Sequence, residues 1–226
     1  DSVLEQLGIS VVKRLGGLGK HQRGALRTWI RNFQARRGLH EKPQLIVLAG
    51  PAGVGKGTVA AEILKTFSNV HLSVSATTRS PRPGEVDGIN YYFVDDGEFD
   101  ALIDSDQLLE WATVHRTNRY GTPRRPVEHA LNEGRPVLLE IDIQGARQVK
   151  RAMPDARLVF LLPPSWDELV RRLVSRGTET PEDQARRLET AKQELAAQHE
   201  FDVRVVNADV VEAAQLVVDL MGINKE

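Results

Sequence analysis

Residues 44–58 read Gln44-Leu-Ile-Val-Leu-Ala-Gly50-Pro-Ala-Gly-Val-Gly-Lys56-Gly-Thr58. After Gln44, the five residues Leu45 to Ala49 are apolar and rich in branched side chains, the signature of a strand buried on both faces, and Gly50 to Gly55 end it abruptly. Val59, Ala60, Ile63, Leu64 and Phe67 then recur at helical spacing. Strand, glycine loop and helix enclose the spacing G-x-x-x-x-G-K. Backbone N–H groups of such a loop point inward, the helix start adds positive potential, and Lys56 extends the cradle, so the stretch predicts a phosphate loop. Gly57 stands where a Ser or Thr is usual, and the hydroxyl comes one residue later at Thr58.

Outward from this stretch the rhythm continues. Apolar strands are expected at Pro136–Ile141, Arg157–Leu162 and Val203–Val206, each leading into a helical stretch, the last from about Asp209 to Leu220. Alternating strands and helices predict a three-layer α/β core around a parallel sheet. Residues 72–125 break the pattern with Pro81, Pro83, Gly84 and Gly88 and with alternating pieces near Tyr91–Val94 and Leu108–Val114. A loop of 50 structureless residues is anomalous in a compact domain, so this segment reads as a small inserted lobe.

Composition bounds the rest. The 226 residues, 41% hydrophobic and 27% charged, suit one enzyme-sized domain with an appendage, and no apolar run approaches a membrane span. Without cysteine there is no disulfide, thiolate metal site or cysteine nucleophile, which suits a reducing compartment, the cytoplasm. No secretory signal is read at the start, and opening on Asp1 instead of Met suggests a processed or trimmed chain. The six histidines, at 21, 40, 71, 115, 129 and 199, show no metal-ligand spacing. The net charge of −1 conceals a division: residues 1–42 hold nine Lys and Arg against three acids, and the remainder holds 21 against 28. A basic leader, 1–42, and a body, 43–226, are therefore expected.

Within the lobe, Ser73-Val-Ser75-Ala-Thr-Thr-Arg79-Ser-Pro-Arg82-Pro-Gly-Glu-Val-Asp-Gly-Ile-Asn-Tyr91 places two arginines three apart among prolines and glycines, a stiff clamp for an anion. From about Leu45 to Leu220 the chain resembles the guanylate kinase family. That resemblance implies a P-loop core (43–71 and 126–226), a GMP-binding lobe (about 72–125) and a lid (about 176–190). It implies that Gly50, Pro51, Ala52, Gly53, Val54, Gly55, Lys56, Gly57 and Thr58 bind ATP, with Asn207 near the adenine. Arg79, Arg82, Tyr91 and Tyr120 would hold the phosphate of GMP or dGMP; Ser75, Glu110 and Thr122 would read guanine. Its N1–H and exocyclic amine are adjacent donors that one carboxylate accepts together, whereas adenine offers an acceptor at N1. Ala76 and Thr122 stand where some relatives carry serine, and Glu140 where aspartate is frequent.

In Leu138-Leu-Glu140-Ile-Asp142, period two puts two carboxylates on one side of a strand end, the edge at which ligands bind in such sheets. The resemblance gives Glu140 and Asp142 contact with GMP, and Thr58 and Asp142 a share in a Mg2+ site, partly through water; Asp142 also reads as a helix cap. Arg172, Arg176 and Arg187, with Lys56, would neutralise the triphosphate. Alternatives from the residues are an inert guanylate-kinase-like binding module and a kinase of another phosphorylated acceptor. The leader, with short helices around Gly16-Gly-Leu-Gly19, resembles the C-terminal part of actinobacterial-type integration host factor. That implies DNA contact; a helical extension packed on the body is the other reading.

Overall fold

The computed structural model describes residues 44–114, 117–174 and 181–222. The leader 1–42, Arg176 and the first part of the expected lid lie outside them. Five parallel strands form the central sheet: β1 (Leu45–Ala49), β2 (His71–Leu72), β7 (Val137–Glu140), β8 (Arg157–Leu162) and β9 (Val203–Val206), in the order β2-β7-β1-β8-β9. All five residues of β1 are buried, as a central strand covered on both faces requires.

Period two divides β1 between two cores. Ile46 and Leu48 pack with Val59 and Ile63 of α1 (Lys56–Thr66), Leu169 and Leu173 of α5 (Trp166–Val174), and Ala213 and Val217 of α7 (Val210–Leu220). Leu45, Val47 and Ala49 face the opposite layer, with Val127 of α3 (Arg124–Asn132), Ala146 and Val149 of α4 (Ile143–Ala152), and Phe160. Helix, sheet and helix make the three layers.

Between β2 and α3 the chain builds a second sheet, order β4-β3-β6-β5, from β3 (Ala76–Thr77), β4 (Tyr92–Phe93), β5 (Leu108–Val114) and β6 (Asn118–Pro123). Helix α2 (Asp96–Asp104) starts with a reciprocal capping box between Asp95 and Glu98 and buries Phe99 against Ala76 and Leu108. The lobe is stitched to the core at one strand. The Gln148 side chain of α4 accepts from Trp111 N at 3.1 Å and donates to Trp111 O at 3.0 Å, filling at this one residue the backbone positions that a further strand would occupy.

After β8, α5 runs to Val174, and α6 (Pro181–Ala196) with a 3-10 turn (Ala197–Glu200) returns the chain to β9. Among the described residues, no helix is long and apolar enough to cross a membrane.

Candidate active site

The loop 50–55 leaves the central strand β1 and enters α1 through Gly55, whose φ of 97° lies in the left-handed region. A side chain there would also bring Cβ to 2.6 Å from Asn207 Nδ2, so glycine is required by both conformation and space. No side chain caps α1, and its first backbone N–H groups remain for an anion. Lys56 Nζ donates to Gly50 O at 2.8 Å and to Pro51 O at 3.3 Å, bent over its own loop. Burial lowers its pKa, while Glu140, Glu194 and Asp142 oppose that shift.

Three distant side chains fix the loop. Asn207, 3% exposed after β9, donates from Nδ2 to Val54 O at 2.9 Å, and Arg172 Nη1 donates to the same carbonyl at 3.2 Å. Glu168 in turn accepts from Arg172 Nε at 2.7 Å. On the other side of the loop, Ala52 N donates to Glu194 Oε2 at 3.1 Å. Asn207 Oδ1 is buried without a hydrogen-bond partner, an acceptor turned to no protein donor.

In the lobe, antiparallel pairing sets Glu110 of β5 opposite Thr122 of β6. Thr122 Oγ1 donates to Glu110 Oε1 at 2.7 Å; the two residues are 0% and 8% exposed. Glu110 Oε2 faces the first turn of α4, 2.9 Å from where a Cβ on Gly145 would stand. Burial pushes the Glu110 carboxyl up to about 7, Thr122 pulls it down, and Asp142 adds to the rise.

Arg79 spans the lobe's phosphate-binding candidates. Its Nε donates to Tyr120 Oη at 3.2 Å, and its guanidinium lies 5.3 Å from the Tyr91 ring centroid. Tyr91 and Tyr120 meet edge to face at 5.8 Å. Both terminal nitrogens of Arg79 bond the Glu85 carboxylate at 2.9 Å, and Arg82 N donates to the same carboxylate at 2.7 Å. This bonding raises the pKa of Arg79 and lowers that of Glu85. The two arginines thus meet through Glu85, with the Arg82 residue itself exposed. Ser75 precedes β3, and its carbonyl accepts from Tyr92 N at 2.9 Å.

The acids at the sheet edge divide. β7 ends at Glu140, and Asp142 lies beyond the strand as N-cap of α4, its Oδ1 accepting from Gly145 N at 2.7 Å. The Asp142 backbone is still extended, so it caps α4 while its carboxylate, like that of Glu140, acts on Lys56. The Glu140 carboxylate reaches the phosphate loop, its oxygens 3.5 and 3.6 Å from where a Cβ on Gly57 would stand. Burial raises its pKa, opposed by Lys56. Thr58 is exposed in the first turn of α1. Among the described residues no three His, Cys, Asp or Glu side chains cluster as a metal cage. Hard oxygen donors from Thr58, Glu140 and Asp142 beside a phosphate loop fit Mg2+ carried in with nucleotide phosphates.

Arg187 stands on α6 and, with Ala52, Asp183, Arg186 and Thr190, lines a cavity of about 400 Å3. Arg186 is bonded to Asp183. Three acids not singled out in the sequence, Glu85, Glu168 and Glu194, take part in this network. Glu85 lies six residues from Arg79 in a proline- and glycine-rich loop, which is a signal of sorts; for Glu194 the only signal is helical spacing from Arg187 and Thr190.

A phosphate loop at the end of a central parallel strand, with an inserted lobe and an arginine-bearing helix, defines the P-loop kinase fold. A guanylate kinase profile matches residues 42–222. The guanylate kinase of Leifsonia xyli subsp. xyli is 64% identical over 218 residues, 96% of this chain and 85% of that protein, an alignment long enough to take in most of the basic leader. The guanylate kinase of Thermobifida fusca is 59% identical over 82% of this chain and 94% of its own length. The crystal structure of guanylate kinase from Anaplasma phagocytophilum is similar with a TM-score of 0.62 and 35% identity, covering 80% of this chain and 85% of that one. The chain belongs to the guanylate kinase family.

Proposed function

We propose that the protein transfers the γ-phosphoryl group of ATP to GMP, or dGMP, giving ADP and GDP. The carrying observation is the buried Glu110–Thr122 pair lying against α4 in a protein whose core holds a phosphate loop. Adenine cannot satisfy that pair, because its N1 lone pair would face a carboxylate; mismatches of this kind in buried sites discriminate by about 10⁴-fold.

In this reading Gly50 to Thr58 hold the ATP phosphates, Asn207 offers Oδ1 toward the adenine, and Arg79, Arg82, Tyr91 and Tyr120 take the GMP phosphate, with Arg79 exchanging Glu85 for it. Ser75, Glu110 and Thr122 read the base, with Glu140 and Asp142 beside it. The acceptor is already an anion, so no general base is needed, and the residues act by alignment and charge neutralisation. Lys56, Arg172, Arg176 and Arg187 supply the cationic side chains. Thr58 and Asp142, with Glu140 adjacent, would hold Mg2+, which when bound neutralises phosphate charge. The compartment proposed is the cytoplasm, consistent with a cysteine-free chain.

For the leader we propose contact with DNA phosphates, supported by nine basic residues in 42. Duplex binding that weakens steeply with salt and disappears on deletion of 1–42 is expected; salt-insensitive binding, or binding kept by the deletion, would refute it.

Coupled measurement of ADP release tests the catalytic reading. Rapid release is expected with GMP and dGMP and little with AMP or ribose bisphosphate. No release with any acceptor would favour an inert binding module.

A further inference from the structure

Glu194 occupies an unusual place for an acid. It lies near the C-terminal end of α6, in a region suited to anionic phosphates, where its negative charge opposes the ligand. Burial raises its pKa, so the fold holds the carboxylate there against a desolvation penalty. It accepts the backbone N–H of Ala52, 142 positions away in the phosphate loop, at 3.1 Å. Both Lys56 and Asp142 are near enough to act on it electrostatically.

The helix spacing gives that contact a purpose. Asp183, Arg187, Thr190 and Glu194 follow one another at intervals of four, three and four, which places them on one face of α6. The first three, with Arg186 and Ala52, line the cavity of about 400 Å3 between helix and loop. Glu194, one turn further on, bonds the same Ala52. The contact therefore ties the arginine-bearing helix to the loop it faces. It leaves the acceptor lobe untouched.

Resting on the guanylate kinase reading of the site, we propose that Glu194 is a positioning residue: its carboxylate pins α6 to the phosphate loop through Ala52 N and so sets Arg187 over the ATP phosphates. The hydrogen bond is the working part. Glutamine keeps an oxygen acceptor of the same reach, whereas alanine removes it and leaves the Ala52 N–H and the helix unconnected.

The test compares Glu194→Ala, Glu194→Gln and, as a control on the exposed side of the same helix, Glu189→Gln. Each is titrated with Mg2+ and ATP by calorimetry and assayed for ADP release with GMP. Melting without ligand is recorded to separate loss of fold from loss of function. E194A is expected to weaken ATP binding and raise the KM for ATP by about tenfold, the scale of one charge-assisted hydrogen bond, while the KM for GMP stays unchanged. E194Q should return ATP affinity to within about threefold of the parent, and E189Q should match it. ATP affinity unchanged in E194A, an equal rise in both KM values, or E194Q as impaired as E194A would overturn the proposal. Should the parent chain release no ADP with GMP, the guanylate kinase reading fails, and the ATP titrations alone still decide the role of Glu194.

Discussion

The Thr122 hydroxyl donates a 2.7 Å hydrogen bond to Glu110 Oε1 from directly across two antiparallel strands, and both side chains are buried. Thr122 is the donor that holds the carboxylate form of Glu110 against burial, so the pair sets both what the lobe recognises and the pH at which it does so.

Glu110 must be ionised to accept the two guanine donors, and its pKa is about 7. The KM for GMP is therefore expected to rise tenfold per pH unit below about 6.5 and to be flat above about 8, with the KM for ATP lacking this limb. Initial-rate measurements across pH 5.5–9 check this. A GMP profile flat down to pH 5.5 would contradict it.

Removing the hydroxyl shifts that limb. Thr122→Val deletes the bond that lowers the Glu110 pKa, so the acid limb should move to higher pH, and stability should fall by about 1 kcal/mol. The variant's pH profile and urea midpoint give the two readouts.

Stability follows the opposite sign. A carboxyl whose pKa is raised in the folded state binds its proton more tightly there, so the charged form destabilises the fold; the penalty is absent below about pH 4.5, grows between there and about 7, and is complete above 7. Glu110→Gln should thus stabilise the ligand-free protein at pH 8, by on the order of 2 kcal/mol, and have little effect at pH 4.5. The same change should abolish selection for GMP. Thermal melts at the two pH values check the sign.

Gly145→Ala would bring a methyl group to 2.9 Å from Glu110 Oε2. The clash is with the end of a movable side chain, so the fold should persist while Glu110 is displaced. A KM for GMP raised by about tenfold with the KM for ATP unchanged is the expected outcome of steady-state assays.

The strand–loop–helix unit at 45–66 was legible because its causes are local: β-branched residues, a glycine loop and helical spacing lie within 22 residues. The later core strands were legible for the same reason. Short pieces were not. His71–Leu72 and Ala76–Thr77 are two residues each, too brief for a period, and become strands only through partners, the first at 137–138 and the second at both 92–93 and 120–121. Asp142 combines the two readings open in the sequence: its backbone is still extended where it caps α4, and its carboxylate, like that of Glu140, lies near enough to Lys56 to act on it. Glu110 beside Thr122 could be named only through the family resemblance, because register across a bulged hairpin is a tertiary outcome. The Glu85 clasp on Arg79 and the Glu194 tie to Ala52 are tertiary contacts, and sequence position or helical spacing gives each acid a place without naming its partner.

Lys56→Met offers a direct separation of chemistry from folding. Burial already disfavours the charge, so the ligand-free melting temperature should hold or rise, whereas kcat should fall by about 10²–10³-fold. Paired melts and turnover rates distinguish this from general damage.

The most direct test of the central claim is the ratio of kcat/KM for GMP to that for AMP, measured by ADP formation at pH 8 in the parent and in Glu110→Gln. A ratio on the order of 10⁴ in the parent that collapses in the variant is the predicted result. Comparable turnover of the two monophosphates by the parent, or a ratio unmoved by the substitution, would contradict the account.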